Sequence, residues 1–226
     1  MIIQRLLRGV SPVLEVPFHD DESVDYDGFS EVVAHSLGTG VTSVMFPGFA
    51  SEFHKLAADE RQLLRGRLLD QTRSRNDVAA IVAVQDHATI VAVRRAVEAV
   101  ADGADAINLL PPYLLGPSRS AVRAHVRAVL LAVAPTPVVL QYAPAQTGTS
   151  LDAETIASIA ADHTNPRGTH QLLVLQLRPA TPQHRPIHPP TPRPHRPRRH
   201  PHPDRQTRQM GEKMEQLTTP TILARS

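Results

Sequence analysis

Residues 137–151 read PVVLQYAPAQTGTSL, and the character of this stretch decides the fold. Val138, Val139 and Leu140 form a short continuous apolar run that ends in Gln141 and Tyr142. Such a run, bounded by a turn, is the pattern of a strand covered on both faces, as strands of a parallel sheet are. Pro144 and Gly148 then mark a loop, and a helical pattern starts near Asp152 with Ile156 and Ile159 on one side.

Upstream, the same alternation repeats. Short apolar runs begin at Val13, Thr42, Val78, Ala106 and Val138, spaced 29, 36, 28 and 32 residues apart. Parallel strands need a crossover of about a dozen residues or more, so this spacing predicts βα units feeding one parallel sheet. The connecting segments carry helical stripes: Phe29, Val32, Val33 and Leu37; Leu63, Leu64, Leu68 and Leu69; Ile90, Val93, Val97 and Val100; Val122, Val126, Leu130 and Val133. Asp86 and Ser118 stand where N-caps belong, while Gly38, Gly103 and Pro135 stand where helices stop. The fold class predicted is α/β, a partial TIM (β/α)8 barrel of about five βα units. A complete barrel takes about 250 residues and places its chemistry at the carboxyl ends of the strands, where Tyr142 falls.

Tyr142-Ala143-Pro144-Ala145-Gln146-Thr147-Gly148 resembles the tyrosine loop of the dihydrodipicolinate synthase and N-acetylneuraminate lyase family, whose usual form is Tyr-Asn-x-Pro-x-Arg-Thr-Gly. Gly48-Phe49-Ala50-Ser51-Glu52 is similar to that family's Gly-Thr-Thr-Gly-Glu loop, and Gly103-Ala104-Asp105 and Pro111-Pro112-Tyr113 agree in order and spacing. The likeness covers roughly residues 8 to 165. It implies a pyruvate-dependent class I aldolase or lyase with a small keto-acid substrate and no cofactor. A strand lysine forms a Schiff base in such enzymes, and intact relatives form homo-oligomers, a state not carried over to this chain.

Residue by residue, the resemblance makes Tyr142 the proton-transferring phenol. Gly48, Phe49, Ala50 and Ser51 become the substrate-binding loop, with Tyr113 as the first aromatic of the Pro-Tyr-Tyr stretch. The departures matter. Phe49 and Ala50 have no hydroxyl where the family has two threonines. Leu114 replaces the second tyrosine, and Gln146 stands near the family's arginine, which removes a bidentate fork for carboxylate. The Schiff-base position falls on His170, and imidazole cannot form the protonated imine. The chain has two lysines, Lys55 and Lys213, neither at a predicted strand end. As it stands the chain is expected to be inactive. The alternative is a non-catalytic binding or scaffold protein that uses the barrel fragment or its tail.

Two domains are expected: the barrel part, residues 1–165, and a low-complexity basic tail, residues 166–226. From residue 163 onward the chain holds eleven of the 24 basic residues but three of the 22 acidic ones, so the pI of 9.4 belongs mostly to the tail. Twelve of the 21 prolines lie at or beyond Pro166. Frequent proline with little apolar content predicts disorder with local polyproline II, apart from Leu172 to Leu177, the one run able to pair as a sixth strand. His184, His188, His195, His200 and His202 are irregularly spaced, which argues against a dedicated metal site. Arg193, Arg196, Arg198 and Arg199 lack interleaved aromatics, so specific nucleic-acid binding is not expected.

The absence of cysteine excludes disulfides and thiolate metal sites. No segment reaches the roughly 18 apolar residues of a membrane span, and the first residues are too short an apolar run for a signal segment. A cytoplasmic location is the expectation. The abrupt loss of βα periodicity motivates a further expectation, a change of reading frame near residues 163–167 rather than a fusion. Reading the message beyond the codon for Asp162 tests it: a neighbouring frame should encode an apolar strand with a lysine about eight residues on, and the fusion stands if neither frame does.

Overall fold

The computed structural model describes residues 9–148, 151–162 and 172–176. The chain divides into two units, residues 1–180 and 181–226, and every described residue falls in the first. The helices are α1 (Tyr26–Gly38), α2 (Ala58–Thr72), α3 (Thr89–Asp102), α4 (Arg119–Val133), the short α5 (Pro144–Thr147) and α6 (Ala153–Asp162). They alternate with strands β1 (Ser43–Phe46), β2 (Ala79–Val84), β3 (Ala106–Leu109), β4 (Val138–Tyr142) and β5 (Leu172–Gln176). The strands form one sheet in the order β1-β2-β3-β4-β5, each pair parallel. This is the partial barrel that the spacing predicts.

Sheet faces follow from the two-residue period of a strand. Ala80, Val82 and Val84 of β2, Ile107 and Leu109 of β3, and Val138 and Leu140 of β4 pack under α3 and α4. Met45, Ile81, Ala83 and Ala106 form a smaller apolar group with Val13 on the other face, the inside of the incomplete barrel. A further cluster joins α1 and α2 to β1, where the Phe29 and Phe46 rings meet with centroids 5.0 Å apart. The helix ends follow local chemistry. Ser118 Oγ accepts from Ala121 N at 3.2 Å and Asp152 Oδ1 from Thr155 N at 2.7 Å, while Gly103 closes α3 with φ 107°.

Three expectations change. Val13 to Val16 is not a strand but a single parallel bridge from Val13 to Met45. Pro12 and Pro17 bracket it and donate no N–H, which limits the ladder to Leu14 N→Met45 O and Met45 N→Pro12 O. Asp86 does not cap α3, whose N-cap is Ala88 without a side-chain bond; Asp86 lies 3.2 Å from Arg95 instead. The face that α3 buries is Ala92, Ala96 and Ala99, while Ile90 is 77% exposed and Val97 44% exposed. The alanines let α3 approach the sheet closely, so the larger apolar residues sit on its flank and outer side. Leu172–Gln176 does pair, lying parallel to β4 from Val138↔Leu172 to Tyr142↔Gln176. His170 and the rest of the tail lie outside the described residues.

Adjacent leucines on α4 separate burial from composition. Leu130 is 1% exposed and Leu131 64%. Leu130→Ala should lower stability by about 2–5 kcal/mol, whereas Leu131→Ala should stay within about 0.5 kcal/mol. Urea unfolding midpoints of the two variants measure the difference.

Candidate active site at the strand ends

The carboxyl ends of β1 to β4 carry the segments that the sequence singles out. After β3, Leu110 to Pro117 brings Tyr113 beside the loop that follows β2. The Tyr113 and His87 rings lie 4.7 Å apart at 69°, and Tyr113 N approaches His87 Nδ1 at 3.4 Å. After β4, Tyr142 is half-buried and packs against the main core. Tyr113 and Tyr142 line one cavity of about 30 Å³ together with Gln141, Arg119, Thr147 and Leu151. That volume suits about one water molecule, hence one reacting oxygen rather than a whole keto acid.

Polar groups beside the two tyrosines are tied to one another. Gln141 Oε1 accepts from Asn108 Nδ2 at 2.8 Å across the buried inner face. Arg119 Nη1 lies 2.6 Å from Asp152 Oδ2. The Thr155 backbone N–H, then the Thr155 hydroxyl, and more weakly Arg119, hold the Asp152 carboxyl below its ordinary value. Sequence reasoning does not find Arg119, because its place at the first turn of α4 marks it only as a surface residue.

The loop after β1 is organised differently. Ser51 Oγ accepts from Gly48 N at 3.0 Å and donates to the Leu14 carbonyl, and Ser51 N donates to Gly48 O at 3.1 Å. The N–H groups of Gly48 and Ser51 are thus bonded inside the protein. Phe49 turns to the Phe53 ring, 5.7 Å away, and Ala50 is exposed. None of the four lines the cavity that Tyr113 and Tyr142 share. Glu52 adopts φ 49°, and its carboxylate accepts from Lys55 Nζ at 2.8 Å, a contact that holds the acid below its ordinary value. Lys55 lies in the turn Phe53–Lys55, off the sheet. The Gln146 side chain, His170 and Lys213 lie outside the described residues.

His125 is another residue that the sequence does not flag. It is buried on α4, with Nδ1 3.0 Å from Thr89 Oγ1 and Nε2 without a partner among the described residues. Burial pushes its imidazole below the ordinary value, against a weaker opposing pull from Asp86. It packs between α3 and α4. No group of three or more His, Cys, Asp or Glu able to hold a metal occurs among the described residues. No helix among them is long and apolar enough to cross a membrane.

The model of the dihydrodipicolinate synthetase family matches residues 6–166. The chain belongs to that family. Over 161 residues it is 33% identical to the 4-hydroxy-tetrahydrodipicolinate synthase of Chlorobium luteolum, covering 71% of this chain and 53% of that protein. The enzyme of the same name from Phocaeicola vulgatus is 29% identical over 164 residues, which cover 73% of this chain and 54% of that one. The chain thus spans about half the length of these curated relatives. Among solved structures, a dihydrodipicolinate synthase superposes with a TM-score of 0.66 at 25% identity, covering 75% of this chain and 63% of the other. YagE of E. coli K12, a family member solved with pyruvate, superposes with a TM-score of 0.65 at 25% identity over 71% of this chain and 53% of its own.

Gly48 shows how tightly the loop after β1 is built. A Cβ there would lie 2.5 Å from Val13 Cγ1, inside any real contact. Gly48→Ala should cost about 1–3 kcal/mol by overpacking. Adding Val13→Ala should recover part of that loss, so a double-mutant cycle in urea should show coupling between the two positions.

Proposed function

We propose that this chain carries the tyrosine-bearing part of an aldolase-type lyase site for a small 2-keto acid such as pyruvate, and that alone it does not complete the Schiff-base cycle. The observation that carries the reading is the shared cavity of Tyr113 and Tyr142 at the ends of adjacent parallel strands. Membership of the dihydrodipicolinate synthetase family and the likeness to a pyruvate-bound relative support it.

The chemistry follows from what these residues offer. A phenol beside a substrate carbonyl can deliver a proton to the oxygen that leaves as water when an amine adds, and can take a proton back later. Imine formation itself needs an unprotonated primary amine, which attacks the keto carbon and loses water to become the electron sink. The sequence offers Lys55 and Lys213 alone as side-chain amines. Lys55 is exposed, is held by Glu52 in the turn after β1, and does not line the cavity of the two tyrosines. Phe49 and Ala50 supply no hydroxyl to pass protons onward. The part of the site in this chain can therefore exchange a proton with one oxygen of a keto acid, but lacks its own electron sink.

Two measurements test this. Incubation with pyruvate and borohydride, then digestion and mass spectrometry, should leave no trapped adduct on the chain; a stoichiometric adduct at Lys55 would overturn the assignment. Pyruvate added to isotope-labelled protein should shift the resonances of Tyr113, Gln141 and Tyr142, and Tyr142→Phe should weaken that response several-fold. Shifts that never saturate would remove the keto-acid reading.

A further inference from the structure

The apolar strands β3 and β4 each carry one amide on the face that looks into the barrel. Asn108 of β3 is 0% exposed and Gln141 of β4 is 7% exposed. Asn108 stands opposite Val139 in the ladder, which places Gln141 two residues on along the same face. Burying a primary amide costs free energy unless it is hydrogen-bonded, and apolar side chains would fill the same space without that cost. The pair is thus unlike the rest of that face, where Met45, Ile81, Ala83 and Ala106 pack as an apolar group.

One hydrogen bond orders both side chains. Asn108 Nδ2 donates to Gln141 Oε1 at 2.8 Å, and Asn108 Oδ1 is buried with no partner among the described residues. The reverse arrangement, with Gln141 Nε2 donating to Asn108 Oδ1, would leave the Asn108 amino group buried without an acceptor. An orphaned buried N–H is the rarer defect, since a carbonyl oxygen tolerates an empty lone pair better. With Oε1 engaged, the end of Gln141 left over is its Nε2 amino group, which bonds to none of the described residues.

Gln141 lines the cavity of Tyr113 and Tyr142. The other polar side chains of that cavity are committed. Thr147 Oγ1 donates to Ala143 O at 2.9 Å, and Arg119 is held by Asp152. The groups left to meet a ligand are the two phenols and the Gln141 Nε2–H donors. They converge on a space of about 30 Å³, enough for about one oxygen atom.

We infer that Gln141 selects the ligand atom at this site: its Nε2–H donates to the keto oxygen of a 2-keto acid, and Asn108 is the positioning residue that keeps the amide turned that way. This role rests on the tyrosine cavity being the keto-acid site, and adds the group that discriminates there. A keto oxygen only accepts, so it matches an N–H aimed into the cavity. The ammonium of a 2-amino acid only donates, and does not match. Gln141 and Tyr142 then hold the same oxygen, one by a fixed donor and the other by a hydroxyl that can give up its proton.

Nitrogen-15 labelling of glutamine in the full chain reads the Gln141 side-chain amino group directly. Titration with pyruvate should shift it saturably, with the midpoint that the Tyr142 resonances give, and alanine at equal concentration should not. Gln141→Met, which keeps the length and loses the donor, should raise the pyruvate midpoint at Tyr142 about threefold or more. Asn108→Asp tests the positioning. A carboxylate only accepts, so it should draw Gln141 Nε2 to itself, turn Oε1 into the cavity and raise the midpoint as far as Gln141→Met does. Acidification from about pH 7.5 to about pH 5 protonates such a buried carboxyl and should restore the response in Asn108→Asp alone, a recovery that a merely structural pair would not show. Tyr142 shifts that saturate while the Gln141 amino group stays still would overturn the role of Gln141 and leave the keto-acid site standing. An unaltered midpoint in Gln141→Met, or alanine saturating as pyruvate does, would do the same, and both tests decide the matter should Asn108→Asp fail to fold. No saturation at either residue would overturn both.

Discussion

A parallel sheet covered on both faces has to satisfy its backbone N–H and C=O groups without water, and where the ladder stops a side chain must take over. Three side chains do so here. The Asp105 carboxylate accepts from Ala80 N at 2.9 Å, continuing the bond that Asp105 N makes to Ala80 O. Gln85 Nε2 donates to Pro47 O at 2.7 Å. The Ser51 hydroxyl joins the Leu14 carbonyl to Gly48 N. An unmet buried group costs about 1–3 kcal/mol, so these three residues fix where β1, β2 and β3 begin or end. The loops of the candidate site start from those points.

This requirement also explains why Gly103-Ala104-Asp105 is a unit. Gly103 supplies the left-handed turn that ends α3, Ala104 is small enough to be buried in the turn, and Asp105 closes the ladder of the neighbouring strand. In the loop after β1, a serine stands where the family has glycine. The hydroxyl of Ser51 ties that loop inward, beside Phe49 and Ala50, whose side chains carry no hydrogen-bonding group.

The strands were legible because runs such as Val78 to Val84 and Val138 to Leu140 are buried on both faces, which leaves no polar alternation to confuse them. Ser118 was legible as a cap because its short side chain reaches an N–H group three residues on. The stripe on α3 was misread because side-chain size was taken as a measure of burial. Alanine is the better fit where a helix lies close to a sheet, and Ile90 and Val97 are left outside. Val13 looked like a strand because a run of apolar residues does not reveal that flanking prolines will cut its ladder to one bridge. Tyr113 and Tyr142 could be placed at strand ends from sequence. Arg119 could not, since its role depends on which cavity it meets, a distance of many residues away in the chain.

The order β1-β2-β3-β4-β5 gives each strand its immediate predecessor in the sequence as a partner. No strand waits for one made much later, as it would in a sheet whose central strand is synthesised last. Loop closure between neighbours then costs about the same at every step, and the chain can assemble from its amino end while still being made. Every residue that pairs in β1 through β4 lies at or before Tyr142, so whatever follows that tyrosine meets an edge whose partners precede it rather than shaping the sheet behind it.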